Sequence, residues 1–325
     1  MLNSASPQAN FASIHTPASD SYDTFDQYTL IEKHIDAYPA NHVLEVAEKS
    51  TGKACFLSLR HGEFSAQLDK ACSDIYRLFV PSTPQTWIVK SGNDFYLAST
   101  TIENLTNYVD IPDQTDDFTP LYLGANSVLS HFLGETDIHE GNMLLSSEDD
   151  TTFVAHKIDN AEALDPDALQ SARLTSKNDE SDDDNSFNDD PDFKVDELYL
   201  AGYEPKANPE PFDTADVFYN YWKYPAAVVH HYQYQQEQRD TLRAIASTPF
   251  SEMATILRHT VTASKRIENL AFMEKLYNSN LIASQAVRNE IKAILDNPDK
   301  LPKLAEIEDV IQLLEKRHQR YAALK

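Results

Sequence analysis

The sequence predicts an α+β fold with two lobes, a small antiparallel sheet on the N-terminal side and a mostly helical lobe after it. Strand-like apolar runs separated by turn residues surround one helical pattern before residue 100. From residue 213 onward, apolar residues recur almost throughout at helical spacing. The chain has 325 residues, of which 41% are hydrophobic, so it is long and apolar enough to bury the core of a two-lobed fold.

The N-terminal end of the chain divides into a leader and a hairpin. Residues 1–25 are rich in Ser, Ala, Asn, Pro and Asp and show no apolar period, which predicts a disordered leader. Residues 28–38 allow a short helix. A strand begins near Val43 and breaks at the turn of residues 49–53, and a second strand follows at 54–59. This pair predicts a β-hairpin.

A helix and another strand pair complete the predicted N-lobe, which covers residues 26–110. Apolar residues between 64 and 79 have the spacing of one buried helix face, and prolines follow that stretch. Residues 86–89 and 94–99 predict two more strands, joined by a Ser-Gly-Asn turn.

The predicted C-lobe covers residues 111–280. A core helix at 126–133 is followed by a polar loop and by two short strands at 143–146 and 152–158. The helical stripes that come later continue beyond the lobe, so residues 281–325 are predicted to form a C-terminal helical extension.

Charge narrows the set of partners. Eight acidic residues lie between 177 and 192, which predicts a solvated, disordered loop within the C-lobe. The formal charge of the chain is -25, which argues against nucleic acid and charged membranes as partners and favours basic proteins.

No apolar run approaches the roughly 20 residues of a membrane-spanning helix, and no secretory-signal pattern is present, so a soluble protein is expected. Cys55 and Cys72 lie among apolar neighbours and are predicted core residues.

The segment that carries chemistry has the pattern Asp137-x-His139-x-x-Asn142, followed by Asp159 at the end of an apolar strand. Phosphoryl transfer needs a carboxylate near the attacking hydroxyl and oxygen ligands that hold Mg²⁺ against the phosphates. Asp137 can accept the proton of the hydroxyl, while Asn142 and Asp159 supply the hard oxygen ligands that suit Mg²⁺. We expect His139 to orient the loop rather than to act as a base.

This segment resembles the catalytic and metal-binding loops of atypical kinases, such as the phosphatidylinositol-kinase-like and HipA-like groups. It looks most like kinase-like effectors secreted by Legionella and related intracellular bacteria. The resemblance takes in the strand at 56–60, the helix at 69–79, the strand pair around 87–99 and the aromatic stretch at 219–222. It implies a bilobal protein-kinase-like fold, ATP and Mg²⁺ as cofactors, and transfer of phosphate to a hydroxyl of a host protein. It also implies secretion into the host cytoplasm. The negative charge of the chain favours a basic protein as the substrate.

The sequence departs from the family pattern at the phosphate-binding positions. Ser58 stands where the family has a strand lysine, and Asp69 stands where it has a helix glutamate. Arg60 lies on the same strand face as Ser58, because strand side chains alternate with period two, so Arg60 could reach the phosphates or Asp69. Lys53 in the turn is the other cation available. No glycine-rich phosphate loop is present.

Two other functions use the same segment. A nucleotide bound in the opposite sense would lead to adenylylation, for which the missing lysine matters less. A pseudokinase would keep the Asp137 to Asp159 segment as a folding element and use its acidic surface and helical tail to bind a partner.

Overall fold

The structure is a computed structural model that describes residues 22–35, 42–107, 120–135, 142–147, 152–160, 163–164, 232–279, 284–300 and 306–323. Its strands and helices, in chain order, are β1 (Asp23–Thr24), β2 (Tyr28–Ile35), β3 (His42–Glu48), β4 (Ala54–Arg60), α1 (Glu63–Phe79), β5 (Thr86–Ser91), β6 (Asp94–Thr100), β7 (Leu105–Asn107), α2 (Leu123–Phe132), β8 (Met143–Ser147), β9 (Phe153–Lys157), α3 (Tyr232–Ser247), α4 (Phe250–Thr260), α5 (Lys265–Asn278), α6 (Gln285–Asp296) and α7 (Ile307–Ala322).

The first lobe is a six-stranded sheet with the order β1-β5-β6-β4-β3-β2. All neighbouring strands are antiparallel except β1, which runs parallel to β5. Because side chains alternate along each strand, β4 directs Cys55 and Leu57 into an apolar cluster on one face of the sheet. The other face, which carries Ile88 and Phe95, packs against Ala66 of α1. The predicted sheet with one helix is confirmed.

Two predictions for the N-terminal end are corrected. Residues 28–35 form the edge strand β2 rather than part of a helix, because pairing with β3 satisfies their backbone groups and overrides local helical spacing. The last residues of the predicted leader belong to the fold. Tyr22 packs edge-to-face on Phe95 at 5.7 Å, and β1 pairs with β5, so the folded region begins before residue 26.

Helix α1 lies between the sheet and the helical lobe. Its apolar positions, including Phe64, Leu68, Ile75 and Tyr76, are fully buried and share one core with residues of α2, α4 and α7. This burial confirms the helix predicted at 64–79. Cys72 lies on the same helix and is buried, as Cys55 is on β4, so both cysteines are core residues as predicted.

The second lobe combines a small sheet with helices. Strands β7, β8 and β9 form a three-stranded antiparallel sheet, of which the β8–β9 hairpin was predicted and β7 was not. Helix α2 packs beside it, and α3, α4 and α7 follow. Helix α7 falls within the predicted C-terminal extension, yet its residues Val310, Ile311 and Leu314 are buried in the main core. Across the described ranges, no helix combines the length and apolarity that crossing a bilayer requires.

Candidate functional site

Three of the residues predicted for the site meet where the two lobes adjoin. The guanidinium of Arg60 donates from Nε to Asp69 Oδ2 at 2.7 Å, and its Nη2 lies 2.6 Å from the same oxygen. The Nη2 atom also donates to Asp159 Oδ1 at 3.1 Å. One cation from the sheet therefore joins a carboxylate of α1 to a carboxylate that follows β9.

The secondary structure explains why Arg60 reaches both carboxylates. Arg60 is the last residue of β4 and pairs with Phe95, so its side chain emerges on the sheet face that packs against α1. Asp69 lies in the second turn of α1, and only two residues separate the start of α1 from the end of β4. Ser58, two residues earlier on the same face, accepts from Arg60 Nη1 at 2.6 Å and fixes the guanidinium plane.

Burial and neighbouring charges have opposite effects on the pKa values of Arg60 and Asp69. Burial by itself would lower the pKa of Arg60, but the carboxylates of Asp159 and Asp69 outweigh it and raise that pKa above its ordinary value. Burial also raises the pKa of Asp69, while the Arg60 guanidinium opposes the rise. Arg60 therefore remains cationic. Of the three charged side chains, that of Asp159 is the most exposed, at 26%.

The backbone at Asp159 has an unusual conformation. Asp159 has a φ of 54°, in the left-handed region that non-glycine residues seldom adopt. The next residue is bound to α1, because the Asn160 amide donates to Asp69 Oδ1 at 3.3 Å and its Nδ2 donates to Ser73 Oγ at 3.1 Å. Asp69 thus accepts from both Arg60 and the backbone beside Asp159.

Asn142 lies next to this segment. Its carbonyl accepts from the Ile158 amide at 3.1 Å, which continues the β8–β9 ladder and sets Asn142 beside the residue that precedes Asp159. The Asn142 side chain is buried. Amide and carboxylate oxygens are the type of donor that Mg²⁺ takes in proteins.

A buried ion pair beneath the site was not foreseen from the sequence. Lys157 Nζ lies 3.7 Å from Glu135 Oε2, and each side chain is 1% exposed. Lys157 Nζ also donates to the carbonyl oxygens of Ile158, at 2.9 Å, and Asp159. The only sequence signal was a lysine at the end of an otherwise apolar strand.

The structure does not bring Lys53 to this network. Lys53 is exposed and precedes β4, whereas Arg60 ends it, so seven residues of extended chain, about 23 Å, separate them. Asp137 and His139 lie outside the described residues. The same is true of the acidic run at 177–192 and of residues 219–222. Their predicted roles stay predictions.

Comparison with known proteins finds a likeness at the level of solved structures. No protein-family model matches the chain, and no curated protein matches it. Among solved structures, the chain is similar to the crystal structure of a Helicobacter pylori proinflammatory kinase, CtkA, with 12% sequence identity and a TM-score of 0.45, over 94% of this chain and 100% of that chain. The fold class rests on this chain's own sheet lobe and helical region, which are consistent with the predicted bilobal kinase-like fold.

Proposed function

We propose that this chain is an atypical kinase that transfers phosphate from ATP with the help of Mg²⁺. The observation that carries the proposal is the ion-pair network in which Arg60 joins Asp69 of α1 to Asp159. Phosphotransferases of this kind use a cation paired with a helix carboxylate to hold the phosphates, and a carboxylate at a strand end to hold the metal. Arg60, Asp69 and Asp159 supply these groups on the corresponding elements.

The proposed roles follow from the position of each group. Asp159 and Asn142 would hold the ion, which supplies positive charge against the developing charge on the phosphates. Arg60 would contact the phosphates, since a guanidinium presents several donors in one plane, and Asp69 orients it. Asp137 is proposed as the base that accepts the proton of the acceptor hydroxyl.

We extend the proposal to the acceptor and the setting. The resemblance of the Asp137 to Asp159 segment to kinase-like effectors favours a secreted protein that modifies a hydroxyl of a host protein. The formal charge of -25 favours a basic substrate, because an acidic surface attracts it and speeds encounter. The test of this part is phosphorylation of host-cell lysate by the purified protein, with and without prior addition of polylysine as a competitor.

The central test is nucleotide binding in the presence of Mg²⁺. Mg-ATP at 100 times its Kd should stabilise the wild-type protein by about 2.7 kcal/mol in thermal unfolding. Asp159→Asn should lose that stabilisation, because it keeps the size of the side chain but removes the charge that holds the ion. The matched control is Asp296→Asn, an exposed carboxylate on α6 that pairs only with Lys292 in the described part of the chain. A wild-type protein with no Mg-ATP stabilisation would contradict the proposal.

Labelled nucleotide distinguishes the alternatives that share this site. Label that passes from the γ-phosphate to a protein supports the kinase. Transfer from the α-phosphate supports adenylylation instead, and binding without either transfer supports a pseudokinase.

A further inference from the structure

We infer that Lys157 is a positioning residue for the proposed metal site, where it fixes the backbone of Asp159 and joins it to the segment that leads to Asp137. The inference rests on the proposed function. Lys157 does not touch the nucleotide or the ion in this scheme. It acts through the peptide group on which the Asp159 side chain depends.

The Lys157 ammonium makes two hydrogen bonds and one ion pair. An ammonium has three donors and no acceptor. Two of them go to the carbonyl oxygens of Ile158 and Asp159, and the third side of the group faces Glu135 Oε2. A lysine that is 1% exposed is costly unless its charge is paired and hydrogen-bonded, so these contacts explain how it is tolerated.

The contact with the Asp159 carbonyl has a specific consequence. The Asp159 carbonyl and the Asn160 amide belong to one peptide group. Lys157 Nζ binds its oxygen, and Asp69 Oδ1 accepts from its N–H at 3.3 Å. Lys157 Nζ also binds the Ile158 carbonyl, which belongs to the peptide group before Asp159. With the peptide groups on both sides restrained, the backbone of Asp159 is held at its left-handed φ of 54°. From that backbone its side chain reaches Arg60.

The contact with Glu135 extends this arrangement to the end of α2. Glu135 follows α2, and its amide donates to the Ser130 carbonyl at 2.9 Å, which anchors the residue to the end of the helix. Glu135 is two residues before Asp137 in the sequence. Lys157 therefore links the chain that enters the catalytic segment to the chain that carries the metal carboxylate.

If Lys157 served only to stabilise the fold, stability and Mg-ATP affinity would recover together in a suitable variant. A pair of variants separates this case from a positioning role. Lys157→Met removes the cation and leaves Glu135 buried without it, so the variant should lose stability. Lys157→Met combined with Glu135→Gln removes both charges, and the glutamine keeps the shape and hydrogen-bonding capacity of the glutamate. We expect the melting temperature of the double variant to return to within about 4 °C of wild type.

Binding is measured on that double variant. A positioning role predicts that its affinity for Mg-ATP stays roughly tenfold or more below wild type although its stability has recovered, because loss of an outer contact typically weakens metal sites to that extent. Full recovery of both stability and affinity would overturn the inference and leave Lys157 as a core ion pair. The control is the exposed pair Lys292→Met with Asp296→Asn, which should change neither quantity.

A second measurement needs neither nucleotide nor a stable variant. In the wild-type protein the Lys157 ammonium should give a slowly exchanging NMR signal with scalar couplings to the carbonyl carbons of Ile158 and Asp159. An ammonium signal that exchanges as fast as that of exposed Lys292 would overturn the inference even if Mg-ATP binds. A protein that shows the couplings but binds no Mg-ATP would contradict the proposed function and leave the backbone contact intact.

Discussion

The pKa of a single residue in the helical lobe is shifted strongly by its surroundings, as His131 of α2 shows. Burial first, and the nearby Arg317 cation second, lower the pKa of His131 to about 4. The ring is therefore neutral at pH 7 in the folded protein. The unfolded chain, where the pKa of histidine is about 6.5, binds the proton more readily.

This difference predicts a loss of stability in mild acid. Between pH 6.5 and 4 the unfolded state binds more protons at His131 than the folded state does. The free energy of unfolding is therefore unaffected by this group above pH 6.5, and it decreases as the pH falls through that window. We expect proton binding by the unfolded state at His131 to lower the free energy of unfolding by about 2 kcal/mol between pH 7 and pH 5. Urea unfolding at both pH values measures the change.

Variants isolate the contribution of His131 from that of other groups. His131→Gln should reduce the difference between pH 7 and pH 5 by the expected amount, because the glutamine does not titrate. His259→Gln alters an exposed histidine and should leave the difference unchanged. Equal pH dependence in wild type and His131→Gln would contradict the prediction.

At the same scale, the sequence could predict some site residues and not others. Strand periodicity placed Arg60 on the face of Ser58 and within possible reach of Asp69, and the structure contains that contact. Glu135 and Lys157 escaped notice because charged residues are almost always exposed, and their burial depends on a partner twenty-two positions away in the chain. No local pattern reports such a pair.

Among the elements, the two helices that flank the site have their ends capped from a distance. Glu237 of α3 accepts from the amides of Tyr122 and Gly124 at the start of α2, at 2.9 and 3.0 Å. Arg317 of α7 donates to the Phe132 carbonyl at its end, at 3.1 Å. An anion at the first turn and a cation at the last complement the helix dipole.

Helix α1 has the same kind of support. Its N-cap position is Gly62, which has no side chain to accept a hydrogen bond. Glu268 of α5 instead accepts from the Ser65 amide at 3.1 Å and from the Ser65 hydroxyl at 2.6 Å. The sequence rules for helix caps look for a local Ser, Thr, Asp or Asn, so they could not identify these distant carboxylates.

The cap at the end of α2 makes Gly134 a sensitive position. Gly134 has a φ of 63°, and a β-carbon added there would lie 2.5 Å from Arg317 Nη1. Gly134→Ala must therefore shift the Arg317 guanidinium, and we expect the shift to weaken its contact with the Phe132 carbonyl. We expect its unfolding free energy to fall further than that of Gly92→Ala by about 1–3 kcal/mol, the cost of losing a buried hydrogen bond from a charged group.

Gly92 is a suitable reference for that comparison. It has a φ of 60° in the β5–β6 turn, and an added β-carbon would meet nothing within 4 Å. Gly92→Ala therefore includes the cost of a left-handed alanine without any collision. Equal losses in chemical denaturation would show that Arg317 moves aside freely and that the cap at Phe132 contributes little.

Over the whole molecule, local patterns determined most elements but not the way they assemble. Periodicity located the strands at 54–59, 86–89 and 94–99 and the helix at 64–79 to within a few residues of the observed bounds. It misassigned β2, whose strand character depends on pairing with β3. The helical stripe at 310–314 was recognised, yet nothing local showed that it packs in the same core as α1, more than 200 positions earlier.

That shared core predicts that α7 supports the entire fold. Leu314 is fully buried in the cluster that also contains Phe64, Leu68 and Ile75 of α1. Leu314→Ala should therefore cost about 2–5 kcal/mol of unfolding free energy, through lost apolar contact and the cavity left behind. Leu313→Ala, on the same helix but only partly buried, is the matched control and should cost less.

Hydrogen exchange shows how far the effect of Leu314→Ala extends. If the two lobes unfold as one cooperative unit, the loss should reach the amides of α1 as well as those of α7, because both helices depend on the same buried side chains. Faster exchange confined to α7 would mean that the last helix, which lies in the predicted C-terminal extension, unfolds independently of α1. Faster exchange in α1 would mean that residues at the end of the chain help to hold the helix that carries Asp69.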